Sequence, residues 1–330
     1  MPINRTVWRW VYLVGGAAVL AALLWRLGVG PFIDGITMVD GHALIAAAVI
    51  TLFTTVCGAW RWRLVARAIG VDIPLLAAVA AHYRSQFLNS VLPGGVLGDV
   101  HRGVAHGLDS GDVGRGLRAV AWERVGGQIV QVVLALTLLA VAPSPVQSSV
   151  PLLVAAVAVV AVVALIVFRA LPGRRTSFWA SALRATAADF RHALLGREVW
   201  PGVVLASCAV TAGHAAIFLI AARAAGSTVS PIRMLPLALL VLLAMSIPMN
   251  IAGWGPREGV AAWAFSAAGL GASQGVTVAV VYGVLAFVAC LPGAAVLIVG
   301  RHRHRTRGVH SADSARTRQP AVDYEGTARG

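Results

Sequence analysis

Lysine is missing from this chain: all 27 basic residues among its 330 are arginine. Acidic residues are scarce too, at 13, and charged residues make up only 12% of the sequence. A soluble domain carries about 25% charge, so an ordinary water-soluble fold is excluded. The three cysteines, Cys57, Cys208 and Cys290, lie inside apolar runs without metal or redox spacing and read as small buried hydrophobes. No P-loop, GxSxG elbow, HExxH or cysteine cluster occurs. No catalytic residue, metal site or cofactor is therefore expected, and the reading is of a protein that is not an enzyme. His302 and His304 fall in a basic, unstructured stretch rather than a metal site. A GC-rich coding sequence explains the lack of lysine as well as any functional demand does.

What the chain has is apolar sequence. Hydrophobic residues reach 58% and the mean hydropathy is +0.79. A bilayer crossing needs about 20 mostly apolar residues. Stretches 7–27, 42–60, 119–142, 150–169, 200–222 and 275–299 meet that need, which predicts an all-α, polytopic helical membrane bundle. The first stretch, after Arg5 and Arg9, has no small-residue cleavage site and reads as a retained span. Trp8, Trp10, Trp60 and Trp62 read as interfacial belt residues.

Arginine placement orients the bundle. Arg5 and Arg9 precede span one, Arg61, Arg63 and Arg67 follow span two, and six arginines lie between 169 and 197. The loops 28–41 and 143–149 have none. The positive-inside rule puts both termini in the cytoplasm of a cell-membrane protein. The net charge of +14 lies in loops and tail, which favours an anionic lipid surface over nucleic acid. Segment 174–197 reads as an amphipathic helix on the cytoplasmic face or a packed loop helix, and 301–330 as a disordered basic tail.

Two weaker apolar segments, 74–106 and 233–270, are each broken near the middle. The first break holds Asn89, Pro93, Gly94, Gly95 and Gly98, followed by Asp99 and Arg102. The second holds Asn250, Gly253, Gly255 and Pro256, followed by Arg257 and Glu258. Six crossings already return the chain to the cytoplasm, so each broken segment is expected as a re-entrant hairpin. The units 42–142 and 200–299 would then form an inverted repeat within a domain spanning 1–300. The alternative is that 233–249 and 256–273 are two short crossings.

Charges at membrane depth are costly and mark function. Arg102 and Asp99 fall in the first turn after the first break, where helix amides and a guanidinium suit a phosphate, although a tight turn capped by Asp99 explains them equally. Glu123 and Arg124 are adjacent on span three, point about 100° apart and need partners elsewhere. Pro256 suits a first helical position, which puts Arg257 at the positive end of a helix, where it demands an anion. These patterns predict crossed ion pairs among Glu123, Arg124, Arg257 and Glu258, with Asp99, Arg102, Asn89 and Asn250 around the same cavity. His214 and Thr211 rank lower, as does His82 at the mouth of the first hairpin.

The order Asn89…Leu92-Pro93-Gly94-Gly95…Gly98-Asp99…Arg102, Glu123-Arg124…Gly126, Pro248…Asn250…Gly253-Trp254-Gly255…Arg257-Glu258 resembles the transmembrane region of lysylphosphatidylglycerol synthases over roughly 10–300. This flippase-like domain also occurs alone. The resemblance implies a helical domain with re-entrant elements that, in the synthases, moves aminoacylated phospholipid between leaflets. The synthases also carry a soluble aminoacyl-transferase domain, for which this chain is expected to have no room. The function expected is a flippase-like transporter of a phospholipid or lipid-linked head group. The alternatives are a membrane partner of a cytoplasmic lipid-modifying enzyme or glycosyltransferase, and an enzyme acting on a lipid-linked substrate.

Overall fold

The computed structural model describes residues 21–92, 95–141, 196–246 and 254–299. Most of the expected spans 7–27 and 150–169, nearly all of segment 174–197, the tail, and the break residues Pro93, Gly94, Asn250 and Gly253 lie outside them. Besides helical residues 21–27, the main helices among the described residues are α1 (Gly30–Thr37), α2 (Gly41–Ala68), α3 (Leu75–Val91), α4 (Leu97–Asp109), α5 (Val113–Val141), α6 (Trp200–Ala224), α7 (Pro231–Ala244), α8 (Pro256–Ala267) and α9 (Ala272–Cys290). Beyond Leu291, α9 resumes over 292–299, so Ala272–Val299 forms one apolar rod.

Four of these rods, α2, α5, α6 and α9 with its extension, are long and apolar enough to cross a bilayer, which makes this a multi-pass helical membrane protein. Lipid-type side chains cover their outer faces: Ile45, Val49, Leu52 and Phe53 on α2 and Ile129 and Val133 on α5 are all at least half exposed. The other helices are short. α3, α4, α7 and α8 hold 17, 13, 14 and 12 residues. At 1.5 Å per residue they reach about 18–26 Å, short of a hydrocarbon core about 30 Å thick. Both broken segments are therefore pairs of short arms.

Local chemistry sets these boundaries. The Asp40 carboxylate accepts from the Ala43 amide at 2.6 Å and caps α2. At the other end Gly70 takes a left-handed φ of 83°, and the Val71 amide returns to the Ala66 carbonyl at 2.9 Å. α6 ends the same way through Gly226 (φ 75°) and the bond from the Ser227 amide to the Ala222 carbonyl, 2.9 Å. Both are Schellman terminations, and each leads to a proline, Pro74 or Pro231, at the start of a short arm.

Each half thus runs long helix, two arms, long helix. The second arm of each half packs on the following long helix through glycine: a Cβ on Gly116 of α5 would lie 2.4 Å from the Gly103 carbonyl oxygen of α4, and one on Gly275 of α9 would lie 2.4 Å from that of Ala261 on α8. That close contact gives the GxxxG spacing of Gly271 and Gly275 a packing role at Gly275. The halves join where α2 lies along α6, with Gly213 seated against Thr54 and Ile50.

Two expectations need correction. Loop 28–41 contains α1, started by Pro31 and laid against α9 because Gly35 leaves room for Val280. Span two does not stop at 60: α2 continues to Ala68, so Arg61, Arg63 and Arg67 belong to the helix rather than to a loop after it. The apolar core is concentrated in the second half, where Ile217, Phe218, Leu237, Val241, Phe265 and Leu285 pack together. The first half buries charge instead.

Candidate functional site

That charge forms one network across α2, α3, α4, α5 and α6. Arg61 on α2 donates through Nε and Nη2 to Oε1 of Glu123 on α5, at 2.9 and 2.5 Å, and through Nη1 to Ser207 Oγ on α6 at 2.9 Å. The other oxygen of Glu123 accepts from Arg102 Nη2 of α4 at 2.9 Å. Arg102 also donates to Asp99 Oδ1 at 3.0 Å and to His82 Nδ1 of α3 at 2.8 Å, and its guanidinium stacks 4.5 Å above the Trp62 ring. An arginine has only donors, so His82 accepts through Nδ1.

Asp99 closes the network. Its Oδ1 accepts from Ser85 Oγ at 2.8 Å as well as from Arg102; its Oδ2 accepts from Asn89 Nδ2 at 2.9 Å and from Arg124 Nη2. Asn89 Oδ1 in turn accepts from the Gly98 amide at 2.8 Å, so a side chain at the end of α3 caps the start of α4. Gly98 permits this closeness, since a Cβ there would lie 2.1 Å from the Ser85 carbonyl oxygen.

Sequence position explains why these groups can be buried together. His82, Ser85 and Asn89 recur at helical spacing on one face of α3. Glycines on neighbouring helices clear space for the larger groups: Gly127 for Arg61, Gly58 for His82 and Gly283 for Arg257. Burying an ion pair is costly unless its hydrogen bonds are satisfied, and this cluster satisfies most of them. The exceptions are Arg102 Nε and the indole Nε1 of Trp62 stacked against it, buried donors with no partner among the described residues.

Beside the network lies a cavity of about 720 Å³, between α4 and α5 on one side and α6, α7 and α9 on the other. Asp99, Arg61 and Arg124 line its charged end, and Gln128, Gln131 and Thr211 line its wall. Arg124, Gln128 and Gln131 form one stripe of α5. Gln128 Nε2 also donates to Ser246 Oγ at 2.7 Å, which ties the stripe to the end of α7. The Arg124 side chain is 54% exposed, against 0% for that of Arg102.

The second break is built differently. Arg257 donates to Oε1 of its own neighbour Glu258 at 2.7 and 2.5 Å, while Oε2 accepts from the Gly255 amide at 2.7 Å. The Arg257 guanidinium lies 5.0 Å from the Trp254 ring centre and 5.8 Å from that of Tyr282. Tyr282 and His214, joined at 3.1 Å, both line the cavity. Tyr282 and His214 thus face the same cavity as Asp99 and Arg124, and no ion pair joins Arg257 or Glu258 to the first network among the described residues.

These broken arms, buried arginine–carboxylate pairs and cavity all lie within the stretch of the chain that a family comparison matches. The family model described as the lysylphosphatidylglycerol synthase TM region matches residues 10–293. The chain belongs to this family. No curated protein and no solved structure matches it.

For this member of the lysylphosphatidylglycerol synthase TM family, the ion pairs expected to cross between the halves are replaced by pairs within each half. Glu123 bonds Arg61 and Arg102, Arg124 bonds Asp99, and Arg257 bonds Glu258. Adjacent helical residues do pair at 257 and 258, because a long guanidinium stem at the first turn can curl back to its neighbour. Asp99 is an N3 residue facing the network, not the cap of α4. Of the eight expected binding residues, Asp99 and Arg124 line the cavity, Asn89, Arg102 and Glu123 lie behind its wall, and Arg257 and Glu258 lie beyond Tyr282. Asn250 lies outside the described residues.

Sequence reasoning missed Arg61, treating it as a loop residue, and Trp62, treating it as a belt residue although it is 1% exposed. It also placed His82 at a watery mouth, whereas His82 is buried against Arg102.

Proposed function

We propose that this chain is a flippase-like transporter whose cavity receives an anionic lipid head group, and that Arg124 is the residue that meets it. One observation carries the reading. The cluster holds three arginines, Arg61, Arg102 and Arg124, against two carboxylates, Asp99 and Glu123, and the excess positive charge is reachable at Arg124. Among the described residues Arg124 hydrogen-bonds Asp99 through a single nitrogen, which leaves most of its donors without a partner there. A half-exposed guanidinium with donors to spare suits a phosphate, which supports this reading.

Buried Arg102 and Arg257 take a different role from the one sequence suggested. Their guanidinium groups hold the broken arms in place instead of touching lipid. The cavity volume is in the range of ligand sites and suits a head group, leaving acyl tails in the bilayer. Asp99, Glu123 and Glu258 are each engaged by an arginine, which supports a transporter rather than an enzyme using one of them as acid or base.

In this reading the two pairs of short arms are re-entrant hairpins that do not cross. The chain crosses the cell membrane six times, the units 42–142 and 200–299 are inverted copies, and both termini are cytoplasmic. The short arm lengths, the shared Schellman–proline junctions and the arginine-rich segment 169–197 support that topology. The basic tail then faces anionic lipid. The test is head-group movement in vesicles that hold purified protein: acceleration over protein-free vesicles is expected, and a folded protein that moves no phospholipid would overturn the reading.

A further inference from the structure

One titratable side chain of the cavity has no part in the anchoring network, and its role rests on the transport reading just given. His214 on α6 lines the cavity together with Arg61 of α2, Asp99 of α4, Arg124 of α5 and Tyr282 of α9. Its Nδ1 lies 3.1 Å from the Tyr282 hydroxyl, and its Nε2 has no partner among the described residues. Among the described helices, α2, α5, α7 and α9 pack on α6. α2 and α5 present the cations Arg61 and Arg124 to the shared space, and α7 adds no titratable group to the lining. α9 presents the Tyr282 hydroxyl, with the Arg257–Glu258 pair beyond its ring. The nearer carboxylates are committed: Asp99 to Arg102 and Arg124, and Glu123, 0% exposed, to Arg61 and Arg102.

Three arginines against two carboxylates leave one positive charge in excess at this end of the cavity. A proton on His214 would add a second, so like-charge repulsion from Arg61 and Arg124 opposes it when no anion is bound. A phosphate at Arg124 supplies the missing negative charge and favours the imidazolium instead. Protonation also costs no hydrogen bond. Both nitrogens of the charged ring are donors, so Nδ1–H donates to the Tyr282 oxygen and Nε2–H becomes a donor for the phosphate. By linkage, whatever factor the phosphate adds to proton affinity, the proton adds to phosphate affinity.

We infer that the cavity binds a phosphate and a proton together, with His214 as the proton's seat, so that lipid movement is coupled to proton movement. The proton comes from water on the side where the lipid enters, rides on the imidazole and returns to water on the other side; no covalent bond to the lipid forms or breaks. The test uses vesicles holding the full-length protein and acyl-labelled phosphatidylglycerol, a phosphate diester whose own charge stays fixed near neutral pH. The interior is made about one pH unit more alkaline than the exterior, and potassium with valinomycin holds the membrane potential at zero. One proton per lipid predicts that label gathers in the alkaline-facing leaflet, up to about tenfold over the other, because one pH unit is a tenfold ratio of protons. Protein-free vesicles under the same gradient supply the blank for unassisted redistribution. His214→Gln and His214→Asn, which cannot take up the proton, should lose the bias whatever rate of movement they retain. Wild-type protein that moves label without regard to the gradient would overturn the inference and leave the transport reading standing. A bias that survives both substitutions would overturn it as well, since the proton would then ride elsewhere. No movement of label by protein that melts normally would overturn the transport reading and this inference with it.

Discussion

Arg61 and Glu123, 62 residues apart, share a two-nitrogen contact on a single oxygen inside the bundle, with side chains 10% and 0% exposed. Through it α2 is fixed to α5, and Glu123 carries the tie on to Arg102 and α4. Removing one partner of a buried pair leaves the other charge without compensation. Glu123→Ala, which leaves buried Arg61 without a carboxylate and Arg102 with Asp99 alone, should cost about 3–5 kcal/mol, visible as a large loss of melting temperature in detergent. A charge swap of Glu123 with Arg257 should rescue nothing, because these residues bond different partners. A swap that restored wild-type melting would contradict the network.

The glycines beneath the cations give a test of sign. In an open helix Gly→Ala stabilises by roughly 0.5–1 kcal/mol. At Gly127 the new methyl would lie 2.5 Å from Arg61 Nη1, and at Gly283 it would lie 2.3 Å from Arg257 Nη2. Both substitutions should therefore destabilise, by about 1–3 kcal/mol. Unchanged or raised melting temperatures would mean that the guanidinium groups lie elsewhere.

Much of this could be read from the sequence, for physical reasons. Two interrupted apolar runs announced the paired arms, because neither a Pro-Gly-Gly nor a Gly-Trp-Gly-Pro stretch continues a helix. Arg102, Glu123 and Arg124 stood out as charges among apolar residues. Arg61 did not: between Trp60 and Trp62 and near Arg63, it has the local composition of a membrane interface, and only its distant partner reveals its burial. Partner choice was also hidden. It depends on which helices touch, and a run of charges says nothing about whether Glu123 meets Arg257 or Arg61. One further signal was present. The Gly70–Pro74 and Gly226–Pro231 junctions mark the start of each pair of short arms as clearly as the breaks do.

Reach from water separates the cations without any activity assay. With the three native cysteines replaced, a charged thiol reagent should label Arg124→Cys in folded protein and leave Arg257→Cys unmodified, since their side chains are 54% and 5% exposed. Equal labelling of the two would contradict the cavity's placement.

At the surface, Asp72 offers a pH-dependent contrast. The Arg67 guanidinium, 2.6 Å away, holds its carboxyl below the usual carboxylate range. The folded form therefore gains stability above about pH 4, where an unfolded carboxyl ionises, and loses it as pH falls. The pair is solvent-exposed and screened, so Asp72→Asn should barely change melting at neutral pH, in contrast to Glu123→Ala. The small difference between wild type and variant should shrink further with acidification. A difference that grows on acidification would reverse the sign argued here.

The measurement that reaches furthest is phospholipid movement in vesicles carrying wild-type protein, Arg124→Gln or Arg115→Gln, all with matching melting temperatures. Arg115 is a control: its side chain is 44% exposed and pairs with Asp112 at the bundle's surface. Loss of one charge-assisted contact of about 1.5–3 kcal/mol corresponds to roughly 10- to 100-fold. The account predicts that loss for Arg124→Gln and wild-type movement for Arg115→Gln. Undiminished lipid movement by Arg124→Gln would contradict it.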